Sequence, residues 1–319
     1  MRQTLAPALL LTLATAVAAP AAASEFPVTV ESCGRSLTFE SGPERAVVHD
    51  INMAEIMFAL ELQPRMVGLT GITGWYKTTP EFDAARGDLP ELAPKYPNVE
   101  TLLSVEPDLF FAGWYYGMKP GGELTPASLD EFGIPVYELS ESCIHLGEPQ
   151  PPVSMETLYR DVRNIGAIFG VAERAERLIA GWSKQVDSVA ASVADKLETR
   201  VFLYDSGEDK PFTAGAFAMP TALIAAAGGR NVMDGVETSW GRVGWEAVGE
   251  QDPEFIVLLD YGDGGQPLIE FLEAHPVMAE TAAVRNGRYL ALKYSEITPG
   301  PANISAIEKL ARAMHPSAF

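Results

Sequence analysis

Tryptophan and tyrosine are concentrated in the segments that follow apolar, strand-like runs of this chain. Aromatic rings offer flat apolar area, and indole and phenol groups each add a polar handle, which suits a large rigid ligand that has both characters. Their faces also attract cationic groups. Some of these rings are expected to pack beneath their own loops instead. The residues concerned are Trp75, Tyr76, Trp114, Tyr115, Tyr116, Trp240, Trp245, Tyr261 and Tyr294.

Few charged or metal-ligating residues stand out in these segments. Arg242 is the best candidate for a cationic ligand contact, because it lies between Trp240 and Trp245. The four histidines are scattered, which argues against direct metal binding. His49 follows a strand-like run and could contact a ligand, although a lone loop histidine more often makes a hydrogen bond. We expect no directly bound metal and no resident cofactor; a metal would arrive inside a chelator.

Signatures of catalysis are absent from the sequence. It has no Gly-x-Ser-x-Gly, no His-Glu-x-x-His and no phosphate-binding Gly-x-x-x-x-Gly-Lys-Ser/Thr motif. Ser206 follows a strand-like run, but it lacks the nucleophile-elbow pattern and no histidine is obviously placed to act as its base. The sequence therefore predicts a binding protein that is not an enzyme, with a secreted hydrolase as a distant alternative.

One pattern occurs twice along the chain. Residues 98–113 read NVETLLSVEPDLFFAG, and residues 244–259 read GWEAVGEQDPEFIVLL. Each copy has a glutamate (Glu100 or Glu246), a Pro-acid pair beginning seven residues later, and then an apolar run. Any α/β protein repeats helix–turn–strand units, but here the order of the upstream elements agrees as well. The repeat predicts two similar α/β halves with a ligand cleft between them.

The segments between these motifs predict strands that alternate with helices. Strands separated by helices form parallel sheets with right-handed crossovers, and the loops after the carboxyl ends of the strands form the ligand crevice. Residues 26–40 predict a hairpin that turns near Cys33, and 240–245 predict a loop. The remaining predicted strands are 46–48, 66–69, 109–112, 136–139, 200–204, 255–259 and 288–292, and the predicted helices include 53–62, 219–229 and 304–314.

The segment 154–197 has helical periodicity over more than forty residues. Apolar residues recur at three- and four-residue steps, and Phe169-Gly170-Val171 predicts a break in the helix. About 25 helical residues span roughly 37 Å, enough to run the length of a lobe. We therefore divide the chain into a signal peptide (1–23), an N-terminal lobe (24–153), a connecting helical segment (154–198) and a C-terminal lobe (199–319).

The amino-terminal residues predict export. Arg2, a short apolar run and Ala21-Ala22-Ala23 are typical of a secretory leader, and no cysteine lies at the cleavage point to carry a lipid. No later run reaches about 18 uninterrupted apolar residues, so no membrane insertion is expected. The formal net charge of −20 disfavours nucleic acid and anionic membranes as partners. A periplasmic monomer is the expected form.

Cys33 and Cys143 are the two cysteines of the chain. In an exported protein such a pair is most simply a disulfide. It would tie the predicted hairpin to the end of the first half. Two metal-binding thiolates are the alternative, which is disfavoured because no histidine or further cysteine stands nearby at ligand spacing.

The chain resembles the substrate-binding proteins of ABC importers for iron-siderophores, haem and vitamin B12. The segments that carry the resemblance are VVHDINMAEIMFALELQPRMVGLTG, VETLLSVEPDLFFAG, WEAVGEQDPEFIVLL and the helical segment 154–197. It implies an α/β fold of two Rossmann-like lobes with parallel sheets, joined by a long helix. It also implies that Glu100 and Glu246 dock onto arginines of a two-fold symmetric permease. Singly, each glutamate is also explained as a solvated acid favoured by its helix dipole.

The charges in the loops limit which of the ligands implied by this resemblance the protein is expected to bind. One arginine and a few lysines lie among acids, which fits a neutral or cationic chelate better than a trianionic catecholate. We expect a ferric siderophore, hydroxamate-type by preference, with a corrinoid or haem as the alternative. Haem would need an axial ligand, which Tyr115, Tyr116 or His49 could supply. The expected ligand-binding residues are Trp75, Tyr76, Trp114, Tyr115, Tyr116, Trp240, Arg242, Tyr261, Tyr294 and His49.

Overall fold

The computed structural model describes residues 26–75, 78–147 and 150–319. The predicted leader and Tyr76 lie outside the described residues. Each half of the chain builds its own mainly parallel sheet, and helices cover the sheet faces. The fold is therefore the predicted α/β class with two lobes.

The N-terminal lobe begins with an antiparallel hairpin that turns at Cys33-Gly34, as the sequence predicts. A parallel sheet follows, in the order β5-β4-β3-β6, with β8 paired to β6 and the short β7 beside the end of β6. β3 and β6 are buried along their whole length, because the sheet is covered on both faces. The strands are β1 (Val28–Ser32), β2 (Arg35–Phe39), β3 (Ala46–His49), β4 (Met66–Thr70), β5 (Glu91–Ala93), β6 (Leu109–Trp114), β7 (Gly117–Met118) and β8 (Val136–Glu138).

Side-chain caps fix where the helices of this lobe begin. Thr79, Asn98 and Thr125 each accept a hydrogen bond from a backbone amide in the first turn that follows. Asp50 accepts from the amide of Ile51 in the same way. These helices are α1 (Ile51–Ala59), α2 (Pro80–Arg86), α3 (Val99–Leu103) and α4 (Pro126–Asp130), and a 3-10 helix spans Ser140–Leu146.

Two consecutive helices join the lobes: α5 (Met155–Ile168) and α6 (Ala172–Val193). The break between them lies at residues 169–171, where the sequence predicts it. α5 packs against the hairpin and the 3-10 helix Ser140–Leu146 of the N-terminal lobe, whereas α6 packs against the last helix of the chain. Ala175, Ile179, Val189 and Val193 form the buried face of α6. At 1.5 Å per residue, its 22 residues span about 33 Å.

The C-terminal lobe has a four-stranded parallel sheet in the order β11-β9-β13-β14 and a separate antiparallel ribbon of β10 and β12. Its strands are β9 (Thr199–Tyr204), β10 (Phe212–Ala214), β11 (Gly229–Asn231), β12 (Trp240–Arg242), β13 (Phe255–Asp260) and β14 (Tyr289–Lys293). Its helices are α7 (Met219–Ala226), α8 (Trp245–Glu250), α9 (Gln266–Ala274), α10 (Ala282–Arg285), α11 (Tyr294–Ile297) and α12 (Asn303–Met314).

The prediction that residues 240–245 form a loop is wrong. Trp240–Arg242 is strand β12, paired with Phe212–Ala214 across the ribbon, and Trp245 is the first residue of α8. Strands of three residues are too short to show a two-residue period, so the sequence pattern could not reveal this ribbon. The ribbon matters for function because it forms one wall of the cleft described next.

Candidate functional site

A cleft of about 610 Å³ lies between the lobes, on the side where the strands of both sheets end. The loop after β6 supplies one wall, and the loops after β9, β13 and β14 supply much of the other. This is the crevice that parallel sheets leave at their carboxyl ends. The residues that line it are Tyr115, Tyr116, His145, Asp205, Ser206, Phe212, Thr238, Trp240, Arg242, Tyr261, Tyr294 and Thr298.

Tyr115 and His145 form the exposed part of the N-terminal wall. Tyr115 is 53% exposed and its ring meets that of His145 edge to face, with the ring centroids 4.6 Å apart. Its backbone φ of 63° is unusual for a non-glycine residue. The hydroxyl of Tyr96 donates to the carbonyl oxygen of Tyr115 at 2.6 Å and supports this conformation. Strained backbone of this kind is enriched at functional sites.

The β10–β12 ribbon forms an aromatic wall in the C-terminal lobe. The rings of Phe212 and Trp240 are stacked, with centroids 5.9 Å apart. The guanidinium of Arg242 lies 5.6 Å from the centroid of the Phe212 ring and donates to the carbonyl oxygen of Lys210 at 2.9 Å. The ribbon therefore offers the ligand mainly ring surface, with one cationic group beside it.

Three buried carboxyl groups lie at the cleft, and each accepts a hydrogen bond from a tyrosine that lines it. Tyr294 donates to Asp50 at 2.9 Å, Tyr261 donates to Asp205 at 3.1 Å, and Tyr116 donates to Glu141 at 3.3 Å. Asp50 and Glu141 belong to the N-terminal lobe, whereas Asp205 belongs to the C-terminal lobe. Because Asp50 is bonded to Tyr294, the floor of the cleft also joins the two lobes.

Burial sets the protonation state of the cleft. Desolvation, followed by the nearby carboxylates, raises the pKa of Tyr116, Tyr261 and Tyr294 well above the ordinary value, so these groups remain neutral phenols. Burial also raises the pKa of Glu141 to about 7. The cleft thus combines neutral hydroxyls, apolar rings and acidic groups. Within the described parts of the chain, no group of three acidic, histidine or cysteine side chains could hold a metal ion.

The structure brings part of the predicted site together. Tyr115, Tyr116, Trp240, Arg242, Tyr261 and Tyr294 line the cleft. Trp75 is partly exposed but does not line it; its ring lies near Tyr96, with centroids 6.5 Å apart. Tyr76 lies outside the described residues.

Two other candidates from the sequence are buried away from the cleft surface. His49 is fully buried, bonds through Nδ1 to Thr70 Oγ1 at 2.8 Å, and lies against Gly71 and Gly117, where a Cβ would collide with its ring. Trp114 is also buried, and its indole donates to Glu138 at 2.9 Å. Neither residue lines the cleft, so a direct contact of either one with a ligand remains a prediction from the sequence.

Several lining residues were not singled out as ligand contacts from the sequence: His145, Ser206, Phe212, Thr238 and Thr298. Asp205, directly after β9, also lines the cleft. Asp205, Ser206 and His145 follow strands β9 and β8 closely, so their position after a strand was the available signal. Phe212 and Thr238 could be located only through the unpredicted ribbon. Ser206 donates to Asp205 at 2.5 Å, which is not the serine–histidine pair of a hydrolase.

Glu100 and Glu246 occupy matching positions in the two lobes. Each is exposed and lies in the first turn of a short helix, α3 or α8. Six residues later, Glu106 and Asp252 both adopt left-handed backbone, with φ of 45° and 43°. The repeat found in the sequence is therefore a repeat of structure, down to an unusual backbone conformation.

Cys33 and Cys143 form a disulfide. The bond joins the turn of the β1–β2 hairpin to the 3-10 helix Ser140–Leu146, which carries Glu141 and His145. The two-thiolate metal site is thereby ruled out, because neither sulfur is a free thiolate. The disulfide fixes the N-terminal wall of the cleft to the hairpin.

Comparison with known proteins identifies the class. Residues 47–295 match the family model described as periplasmic binding protein, so the chain belongs to that family. A search of curated proteins gives no match. None of the helices in residues 26–75, 78–147 and 150–319 is long and apolar enough to cross a bilayer.

Solved structures of this class superpose over almost the whole chain. A periplasmic binding protein from Veillonella parvula is 28% identical with a TM-score of 0.79, covering 91% of this chain and 97% of that one. An ABC-type Fe3+-hydroxamate transport protein from Saccharomonospora viridis is 24% identical (TM-score 0.78; 91% and 100% covered). A periplasmic haem-binding protein from Roseiflexus sp. RS-1 is 24% identical (TM-score 0.67; 87% and 100% covered). The fold is thus that of two-lobe periplasmic binding proteins.

Proposed function

We propose that this protein captures a metal chelate in the periplasm and delivers it to an ABC permease, and that the chelate is a ferric siderophore, hydroxamate-type by preference. The observation that carries the proposal is the cleft of about 610 Å³ lined by tyrosine, tryptophan and phenylalanine rings. A volume of this size fits a drug-sized organic molecule. Export of the chain by residues 1–23 is part of the proposal.

The charges around the cleft argue against strongly anionic ligands. Asp50 and Asp205 are buried at the cleft, so a trianionic catecholate or an inorganic oxyanion would face like charges. Arg242 is the cleft-lining arginine, and one of its donors is already used by the carbonyl of Lys210. Neutral ferric hydroxamates can instead stack on the rings and bond to the phenols.

Haem is the second candidate, and the pair of Tyr115 and His145 favours it. Of the three axial ligands considered from the sequence, only Tyr115 is exposed, since Tyr116 and His49 are buried and hydrogen-bonded. Tyr115 meets His145 on the same wall of the cleft. Phenolate and imidazole are both axial ligands that proteins use for haem iron. A corrinoid remains a further alternative of the same class.

Ligand titration tests the proposed function. Native mass spectrometry of protein isolated gently from the periplasm would reveal a co-purified ligand by its added mass. Tryptophan fluorescence would then be followed during titration with ferrioxamine-type, ferric catecholate, haem and corrinoid ligands, since Trp240 lies in the cleft. We expect saturable quenching by the ferric hydroxamate. Quenching by haem alone would select the second candidate, and failure of all four would reject a metal-chelate ligand.

We also propose that Glu100 and Glu246 dock onto the permease. Their matched, exposed positions on the two lobes suit a two-fold symmetric partner, because equivalent charges can then meet equivalent basic groups. We predict that Glu100→Lys combined with Glu246→Lys lowers cellular uptake at least about tenfold, because like-charge contacts across an interface cost several kcal/mol. Ligand affinity of the purified variant should stay within about twofold, since neither residue lines the cleft.

A charge-matched control separates docking from net charge. Glu131 and Glu273 are exposed acids in the N- and C-terminal lobes, and Glu131→Lys with Glu273→Lys changes the total charge by the same amount. Uptake should survive in this control. Unchanged uptake in the Glu100/Glu246 variant would contradict the docking role, whatever the ligand proves to be.

A further inference from the structure

Glu141 of the N-terminal lobe reaches across the lobe boundary. It lies in the 3-10 helix Ser140–Leu146 and is 4% exposed. One carboxylate oxygen accepts a hydrogen bond from the hydroxyl of Ser239 at 2.8 Å, and the other accepts from the backbone amide of Met219 at 3.2 Å. Both donors belong to the C-terminal lobe, and Met219 is the first residue of α7. The side chain therefore links the two lobes.

The segment that carries Glu141 is held firmly in its own lobe. Cys143, two residues on, is bonded to Cys33 of the hairpin. Ser140, one residue before, donates through its hydroxyl to Asp161 of α5 at 2.6 Å. With both neighbours anchored, the backbone of Glu141 moves together with the N-terminal lobe.

The same carboxyl also supports the cleft. Tyr116, which lines the cleft, donates to the oxygen that accepts from Ser239. Ser239 directly precedes Trp240, the stacked tryptophan of the opposite wall. Glu141 thus lies behind the cleft and holds a ring-bearing segment of each lobe.

The contacts of Glu141 are with neutral groups: a hydroxyl, a phenol and a backbone amide. Burial without a bonded cation raises the pKa of its carboxyl to about 7. Around it, Tyr116 remains a neutral phenol, His145 follows on the same 3-10 helix, and Arg160 of α5 is exposed and lines a small cavity that Glu141 also lines. Asp50 lies close enough to Tyr116 to raise the pKa of that phenol.

A neutral Glu141 can keep all of these contacts. One oxygen would still accept from the amide of Met219, while the protonated oxygen would donate to the hydroxyl of Ser239 or Tyr116, since hydroxyl groups both donate and accept. The ionised form satisfies the same donors but leaves a negative charge buried between the lobes.

We propose that Glu141 is a positioning residue that joins the two lobes behind the cleft, and that uptake of one proton by its carboxyl strengthens this contact. The proposal rests on the proposed function only in that the cleft is where a solute binds. Protonation of this one carboxyl then determines how stable the contact between the lobes is.

The direction of the pH effect follows from linkage. The ordinary pKa of a glutamate is 4.5, and between the lobes it is raised to about 7. The contact is therefore most stable below about pH 4.5, weakens as the pH rises, and has lost this contribution above about pH 7. For one proton and these two values, the ratio of separated to joined lobes rises about tenfold from pH 6 to pH 8.

Inter-lobe distances in the ligand-free protein test the proposal. Nitroxide labels would be placed at Glu131→Cys and Glu273→Cys, exposed positions in the two lobes; the native cysteines are in a disulfide and do not react. Distance distributions would be measured by pulsed electron paramagnetic resonance at pH 6 and pH 8. We expect the ratio of longer to shorter distances to rise about tenfold from pH 6 to pH 8 in the otherwise native chain.

Substitutions assign the effect to Glu141. Glu141→Gln resembles the protonated form and should give the pH 6 distribution at both pH values, whereas Glu141→Ala should give the longer distances at both. Glu123→Gln, an exposed acid on the same lobe, should behave like the native residue. A native chain whose distances ignore pH, or a Glu141→Gln chain as pH-dependent as the native one, would overturn the proposal. Neither result depends on which ligand the cleft binds.

Discussion

At the scale of single residues, the cleft is a set of phenols bonded to buried acids. Each of Tyr116, Tyr261 and Tyr294 uses its hydroxyl to satisfy a carboxylate and presents ring surface to the cleft. Such a pairing costs less than an unpartnered buried acid, because the acid keeps a donor when water leaves. Because the tyrosine hydroxyls point to the acids, their rings can line the cleft even though acids lie around it.

The two tryptophans Trp240 and Trp75 provide a matched test of the cleft. Trp240 is stacked on Phe212 in the cleft wall, whereas Trp75 is partly exposed and does not line the cleft. We predict that Trp240→Ala lowers ligand affinity about 30-fold, as for a central aromatic contact worth about 2 kcal/mol. Trp75→Ala should change affinity less than about threefold. Isothermal titration calorimetry measures both, and equal losses would show that the ligand extends to Trp75.

The sequence identified aromatic residues near the ends of strands, but it could not show which of them are buried and which line the cleft. Trp114 ends strand β6 and Tyr115 follows it, yet Trp114 is buried and bonded to Glu138 whereas Tyr115 is exposed. The left-handed backbone of Tyr115 turns the chain between them, and no local pattern of residue types predicts that turn. Burial of a loop residue depends on what packs over it, which is a property of the tertiary structure.

At the scale of elements, the repeated Pro-acid pair has a structural explanation. Asp108 accepts from the backbone amides of Glu44 and Arg45 at 2.7 and 2.8 Å, just before β3. In the other lobe Glu254 accepts from the amide of Arg200 at 3.0 Å, at the beginning of β9. The acid of each pair thus fixes the first strand of its parallel sheet, β3 or β9, beside the strand that follows the pair, β6 or β13.

The arginines complete this repeated arrangement. Arg45 donates to the carbonyl oxygens of Val105 and Glu106, and Arg200 donates to those of Gln251 and Asp252. These carbonyls belong to the turn that precedes each Pro-acid pair. In each lobe, therefore, the carboxylate after the turn accepts from the backbone where the first strand of the sheet begins. The guanidinium from that same position binds the carbonyl oxygens of the turn.

Removal of this carboxylate should weaken the N-terminal lobe. We predict that Asp108→Ala lowers the free energy of unfolding by about 2 kcal/mol, because two charge-assisted hydrogen bonds to backbone amides are lost. Urea unfolding followed by circular dichroism measures the change. Asp88→Ala, at an exposed position, is the control and should stay within about 0.5 kcal/mol. A loss no larger than that of the control would show that water replaces the carboxylate.

At the scale of the whole molecule, acids meet where the lobes join. Glu55 of α1 is largely buried, and the charges of Glu296 and Asp50 act on it in addition to desolvation. Together these effects, burial first, raise the pKa of Glu55 to about 7. Glu296 belongs to α11 of the other lobe and pairs with Lys309.

We predict that the protein is more stable in weak acid than in weak base. Glu55 and Glu141 each have a folded-state pKa raised from 4.5 to about 7, so their contribution is full below pH 4.5 and is lost as the pH rises through 7. Glu55 alone should lower the free energy of unfolding by about 2 kcal/mol between pH 5 and pH 8. Urea titrations at several pH values measure this slope.

Glu55→Gln isolates that contribution. The variant should retain the stability of the native chain at pH 5 and lose less of it by pH 8, so that the two curves diverge as the pH rises. Glu123→Gln, at an exposed position, should leave the slope unchanged. Parallel curves for the native chain and Glu55→Gln would mean that Glu55 ionises normally in the folded protein.

Much of the fold could be predicted from the sequence because its determinants are local. Apolar runs specify β3, β6, β9 and β13, and three- and four-residue periodicity specifies α5 and α6 with their break. The repeated glutamate and Pro-acid pair predict two matching halves. These signals depend on residues close together in the chain, where backbone geometry alone relates spacing to structure.

The site required the tertiary structure, because its members come from both lobes and from loops of irregular backbone. The sequence predicted that Tyr115 and Tyr294 follow strands and that Trp240 lies in a loop, but only the packing of the lobes showed that the three residues share one cleft. The same packing buried His49 and brought Glu141 to the amide of Met219, 78 residues away in the chain. Desolvation depends on all the atoms around a group, so neither burial nor the raised pKa of Glu141 could be read from residue order alone.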